Sequence, residues 1–126
     1  MNIIKFIYQH KSYSYGGSSN LQAGVVGLFL TDDVSDWTET WRDWINNDKY
    51  EYTSSNITFL RKQGDSILLE FLFADDDDTQ KKIILKRTVL LELLEQWKYW
   101  YEHPCAILEL VVAEDQFKFT CLEPLV

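Results

Sequence analysis

Cysteine and histidine are scarce in this chain, with two of each among 126 residues. A structural zinc site needs several such ligands at close spacing, and Cys105, Cys121, His10 and His103 supply no such set. Two cysteines make no disulfide framework, so both thiols are expected to be reduced. Long apolar runs are missing too. Nothing approaches the ~18 residues of a membrane span. The opening Met1-Asn2-Ile3-Ile4-Lys5-Phe6 lacks the basic stretch, apolar run and cleavage site of a signal peptide, and a cytoplasmic location is expected.

Catalytic signatures are equally thin. The glycine-rich Gly16-Gly17-Ser18-Ser19 is followed by no Gly-Lys-Ser/Thr, and no GxGxxG occurs, so nothing cradles phosphate. No Gly-x-Ser-x-Gly elbow presents a nucleophile. His103 and Cys105 are two apart across Pro104, a spacing that matches no nucleophile and base pair. The run Asp75 to Asp78 is consecutive, whereas a calcium loop alternates its ligands and places a glycine at its sixth position. No enzyme, cofactor or metal is expected.

What the chain does have is apolar and acidic. Its 46% hydrophobic content is enough for a core, and aromatic residues reach 15%. The formal net charge of −8 opposes binding to phosphates or anionic membranes and favours a cationic partner. A length of 126 residues fits one domain, and no repeat or linker divides residues 1–126.

Periodicity predicts the elements. Residues 2–8 and 23–30 are apolar and partly β-branched, and predict strands on either side of a polar loop over 9–20. Val34, Trp37, Trp41, Trp44 and Ile45 recur at helical spacing and predict a helix over 34–46 whose stripe faces the core. Its start, crowded with Asp32, Asp33, Ser35 and Asp36, suits a helix N-terminus. Strands over 57–62 and 66–73 turn at Gly64, and a further strand over 81–86 follows the aspartate run. A helix over 89–102, capped by Thr88 and stopped by Pro104, precedes a hairpin of 105–113 and 116–122. A turn at Glu114-Asp115 pairs Leu108 with Cys121, Leu110 with Phe119 and Val112 with Phe117, all on one face. Cys105 then does not oppose Cys121. The order β-β-α-β-β-β-α-β-β predicts an α+β domain: an antiparallel or mixed sheet with two packed helices.

Acidic patches are left as the recognition feature: Asp32, Asp33, Asp36 and Glu39 at the first helix, and Asp75, Asp76, Asp77 and Asp78. Tyr13, Tyr15, Tyr50 and Tyr52 are rings the core pattern does not claim. Carboxylates can steer a basic partner while rings anchor it, so these residues form the candidate partner surface. The acidic α+β character, the many Trp and Tyr, and the ending from Leu94-Glu95-Gln96-Trp97 through Pro104 into the 106–122 hairpin resemble the immunity proteins of bacterial toxin–immunity systems, including contact-dependent growth inhibition. The resemblance implies stoichiometric binding of a cognate basic toxin domain, often a nuclease, with no direct contact to nucleic acid or membrane. The alternative is an acidic nucleic-acid mimic or another phage- or host-directed inhibitor, which needs its carboxylates in an extended array. A small-ligand-binding domain is the remaining class.

Overall fold

Two four-stranded antiparallel sheets frame the computed structural model, which describes residues 1–72 and 81–126. The first sheet has the order β2-β1-β7-β8, from β1 (Asn2–Gln9), β2 (Ser12–Ser18), β7 (Cys105–Val112) and β8 (Phe117–Pro124). The second has the order β3-β4-β5-β6, from β3 (Tyr52–Ser54), β4 (Thr58–Gln63), β5 (Ser66–Phe71) and β6 (Lys82–Lys86). Helices α1 (Leu21–Leu28), α2 (Thr38–Asn46) and α3 (Arg87–Glu102) complete an α+β fold. Both α1 and α3 pack against strands of each sheet.

The segment expected as a strand over 23–30 is helical. Asn20 caps it: the side-chain oxygen accepts the Ala23 N–H at 2.8 Å. Ala23, Gly24, Val25, Val26 and Gly27 are all buried, so the middle of the helix has no wet face to mark an amphipathic stripe. A short apolar run of this kind cannot be assigned by periodicity, and β-branched valines bias it toward strand. Its small residues are used for approach. A Cβ on Gly27 would lie 2.7 Å from Ile4 Cγ2 and 2.8 Å from the Tyr15 ring. The helix runs on into a π-helical turn, Phe29–Val34, which ends at Ser35 with φ +47°.

The polar stretch expected as a loop over 9–20 is mostly strand. His10 and Lys11 both have positive φ, 54° and 67°, and make the two-residue turn that joins β1 to β2. Neither residue is the Asn or Gly that normally marks such a turn, so the sequence concealed it. The 34–46 helix begins only at Thr38, and no side chain caps it; Asp32 and Asp33 belong to the π turn instead. Thr88 is likewise inside α3, which starts at Arg87 without a side-chain cap.

The C-terminal hairpin has the expected register, with Leu108 opposite Cys121, Leu110 opposite Phe119 and Val112 opposite Phe117. Beyond Leu108 the ladder is irregular: Ile107 meets Glu123, one step out of the expected register, and Cys105 meets Pro124, back in it. That irregularity brings the Cα atoms of Cys105 and Cys121 to 5.9 Å, within disulfide range, and the two sulfurs are bonded. The expectation of two free thiols is therefore corrected. The expected pairing holds, since Cys105 faces Pro124 and Cys121 faces Leu108; the sulfurs meet across the irregular stretch between those pairs.

Trp97 lies at the centre of the core with 0% exposure. Its ring meets Phe6 at 4.8 Å, Tyr13 at 5.3 Å and Tyr101 at 5.4 Å. Its indole N–H donates to the Ser35 carbonyl at 2.7 Å, which ties α3 to the strained residue between the π turn and α2. Phe29 and Trp41 form a second edge-to-face pair at 5.0 Å.

Candidate protein-binding surface

The start of α2 is built from the π turn and its exit. Ser35 turns the chain, and the Trp37 N–H closes on the Val34 carbonyl at 2.7 Å. Trp37 is thrown outward by this turn and is 68% exposed, whereas Trp41 is buried and Trp44 half-buried. The helical stripe was expected to bury all of these rings. Trp37 leaves it because the helix starts one residue later, so the 3.6-residue period does not extend back to it.

Around Trp37 the chain is acidic and exposed at Asp32, Asp36 and Glu39. Glu39 reaches Lys98 of α3 at 3.6 Å, and Arg42 pairs with Glu95 one turn further along. These pairs are solvent-exposed, so they set the alignment of α2 on α3 and add little energy. The carboxylates of Asp32 and Asp36 have no such ion pair among the described residues.

Asp33 does not share this surface. Its side chain is buried, and Oδ1 accepts the Ile57 N–H at 3.4 Å, fastening the π turn to the approach to β4. Oδ2 is buried without a hydrogen-bond partner of normal geometry among the described residues. Burial pushes the carboxyl above the usual carboxylate range; the Thr58 hydroxyl and the Ile57 and Asn56 amides oppose part of the rise, and the Asp32 charge adds to it. Asp33 is a fastening residue, which corrects its place on the partner surface.

The tyrosines separate in the same way. Tyr13 is 3% exposed, and its hydroxyl accepts the Cys105 N–H at 2.9 Å and donates to the Trp100 carbonyl at 3.0 Å. It belongs to the core, not to a partner surface. Tyr15 is half-buried against Gly27, with its hydroxyl 2.5 Å from Ser18 Oγ. Tyr50 and Tyr52 are exposed, at 51% and 61%. They lie beyond the far end of α2, a helix of nine residues and so about 13 Å long, and do not join the Trp37 cluster. Asp75 to Asp78 lie outside the described residues.

A buried cation sits at that far end. Lys62 Nζ lies 4.4 Å from the Trp44 ring centroid and donates to the Asn47 carbonyl at the C-terminus of α2. Burial lowers its pKa, the Arg87 charge lowers it further, and Asp48 opposes them. The ring face and the negative helix end both favour the ammonium, which makes it a structural tie. His103 stacks on Tyr99 at 4.6 Å, and Cys105 is bonded to Cys121. Among the described residues no three His, Cys, Asp or Glu side chains are grouped to hold a metal. None of their helices is long and apolar enough to cross a membrane.

Comparison with protein-family models, curated proteins and solved structures finds no match for this chain.

Proposed function

We propose that the chain is an immunity-type inhibitor that neutralises a basic toxin domain, docking through the start of α2. The observation that carries this is Trp37: a 68% exposed indole flanked in sequence by the exposed carboxylates Asp36 and Glu39, with Asp32 just before them. Tryptophan is the residue most enriched at energetic centres of protein interfaces, and carboxylates beside it select a cationic partner and speed encounter. The formal net charge of −8 extends the same preference over the whole chain.

The acids here are few and interleaved with Lys98 and Arg42, which favours a protein surface over a mimic of a phosphate backbone. Cytoplasmic residence accompanies this reading, since a nuclease toxin is met there. In that compartment the Cys105–Cys121 bond faces a reducing thiol pool.

The test is co-expression with the product of each reading frame that adjoins this one, scoring toxicity, survival and recovery of a stoichiometric complex. Rescue that is lost on Trp37→Ala with the fold intact supports both the function and the surface. Absence of rescue overturns the function, and rescue unaffected by the substitution overturns the surface.

A further inference from the structure

We propose that Cys105–Cys121 is a thiol-exchangeable clamp on the edge strand β8, with Cys121 the sulfur that an external thiol attacks. Cys105 is 1% exposed on the internal strand β7, while Cys121 is exposed on β8, which among the described residues pairs only with β7. The two residues are not a cross-strand pair: Cys121 opposes Leu108 and Cys105 opposes Pro124, and the bond spans the irregular stretch between them.

The two ends are anchored unequally. Cys105 is held whatever its redox state, because its N–H donates to the buried Tyr13 hydroxyl at 2.9 Å, which itself donates to the α3 carbonyl of Trp100 at 3.0 Å. Among the described residues Cys121 has no comparable side-chain anchor. Residues 121–126 are all exposed, and beyond the Leu108–Cys121 pair their backbone connection to β7 is the irregular stretch that ends at Cys105–Pro124. Cleaving the bond therefore frees the end of β8 and leaves Cys105 in place.

Access dictates the direction of exchange. A thiolate attacks Cys121 Sγ, the Sγ–Sγ bond breaks, and Cys105 leaves as a thiolate that takes up a proton. With a dithiol, the second thiolate attacks its own sulfur in the mixed disulfide and releases Cys121, which is protonated in turn. The protein gains two electrons and two protons, and the dithiol becomes a cyclic disulfide. With a monothiol such as glutathione, the mixed disulfide on Cys121 persists until a second thiol or Cys105 displaces it.

The experiment uses the full chain, equilibrated with oxidised glutathione and then treated with a dithiol or with a low dose of reduced glutathione. Alkylation and peptide mapping should find no free thiol before treatment and two after the dithiol. After the monothiol, glutathione should be on Cys121 and the alkyl group on Cys105. Amide exchange over Cys121–Glu123 should accelerate by roughly tenfold or more on reduction, while the Ile4–Phe6 amides are unchanged. The folding equilibrium constant should fall by ~100-fold, the loop-closure value for a link across about this many residues. Cys121→Ser should reproduce the reduced pattern; if that variant does not fold, the wild-type comparison stands alone. Two free thiols in the oxidised buffer, glutathione on Cys105, or identical exchange in both redox states would each overturn the proposal.

Discussion

The hydroxyl of Tyr13 accepts the backbone N–H of Cys105 at 2.9 Å, joining residues 92 positions apart. Its ring also packs on Trp97 at 5.3 Å, so one side chain closes β2 onto the end of α3 and the start of β7. Tyr13→Phe keeps the ring and leaves the buried Cys105 amide without its acceptor. A loss of about 1–3 kcal/mol is expected in urea unfolding, the usual cost of such an orphaned donor.

Gly27→Ala tests the contact between α1 and the first sheet. The new methyl would stand 2.7 Å from Ile4 Cγ2, and Ile4 is fully buried, so neither partner has room to give. A destabilisation of about 1–3 kcal/mol is expected despite the better helix propensity of alanine. Gly24→Ala meets its nearest atoms at 3.3 Å, in the side chains of Ser18 and Tyr15, and should cost clearly less.

Asp33 predicts a pH dependence. Burial raises its folded-state pKa above the unfolded value, so the folded state holds the proton more tightly. Its contribution is then fully present below the ordinary carboxylate range and is lost as pH rises through the folded value. Asp33→Asn keeps an oxygen for the Ile57 amide and carries no charge. Its stability relative to wild type should improve from pH 4 towards pH 7, measured by denaturant titration at each pH. A relative stability that worsens over that interval would contradict the burial argument.

Trp37 and Trp41 lie four apart and should behave oppositely. Trp41→Ala empties a site packed on Phe29 at 5.0 Å and should cost about 3–5 kcal/mol. Trp37→Ala removes an exposed ring and should stay within ~0.5 kcal/mol of wild type in thermal unfolding.

Much of the fold was legible because burial is periodic where one face is wet. The C-terminal hairpin shows this, with Leu108, Leu110 and Phe119 buried in the register that alternation predicts. So does α3, whose buried Leu90, Leu93, Leu94 and Trp97 follow the helical stripe. Legibility failed where burial is complete or geometry is local. In α1 every residue from Ala23 to Gly27 is buried, so there is no wet face to set a period, and the Asn20 cap was the remaining signal. The His10-Lys11 turn uses positive φ without glycine, and the disulfide depends on a bulge that no alternation rule contains. For the candidate surface, composition identified acids correctly as exposed at Asp32, Asp36 and Glu39, but not the burial of Asp33 and Tyr13. Trp37 was misassigned to the core because a stripe in sequence does not show where the helix begins.

The central claim is tested most directly by the association kinetics of the chain with any basic toxin domain that an adjoining reading frame encodes, as salt is varied. Wild type should bind stoichiometrically, with an association rate that falls steeply as ionic strength rises. Asp32→Asn, Asp36→Asn and Glu39→Gln together should slow association and flatten that salt dependence, and Trp37→Ala should speed dissociation. A chain that leaves the toxin domain unbound and fully active, or binding indifferent to both sets of substitutions, would contradict the account.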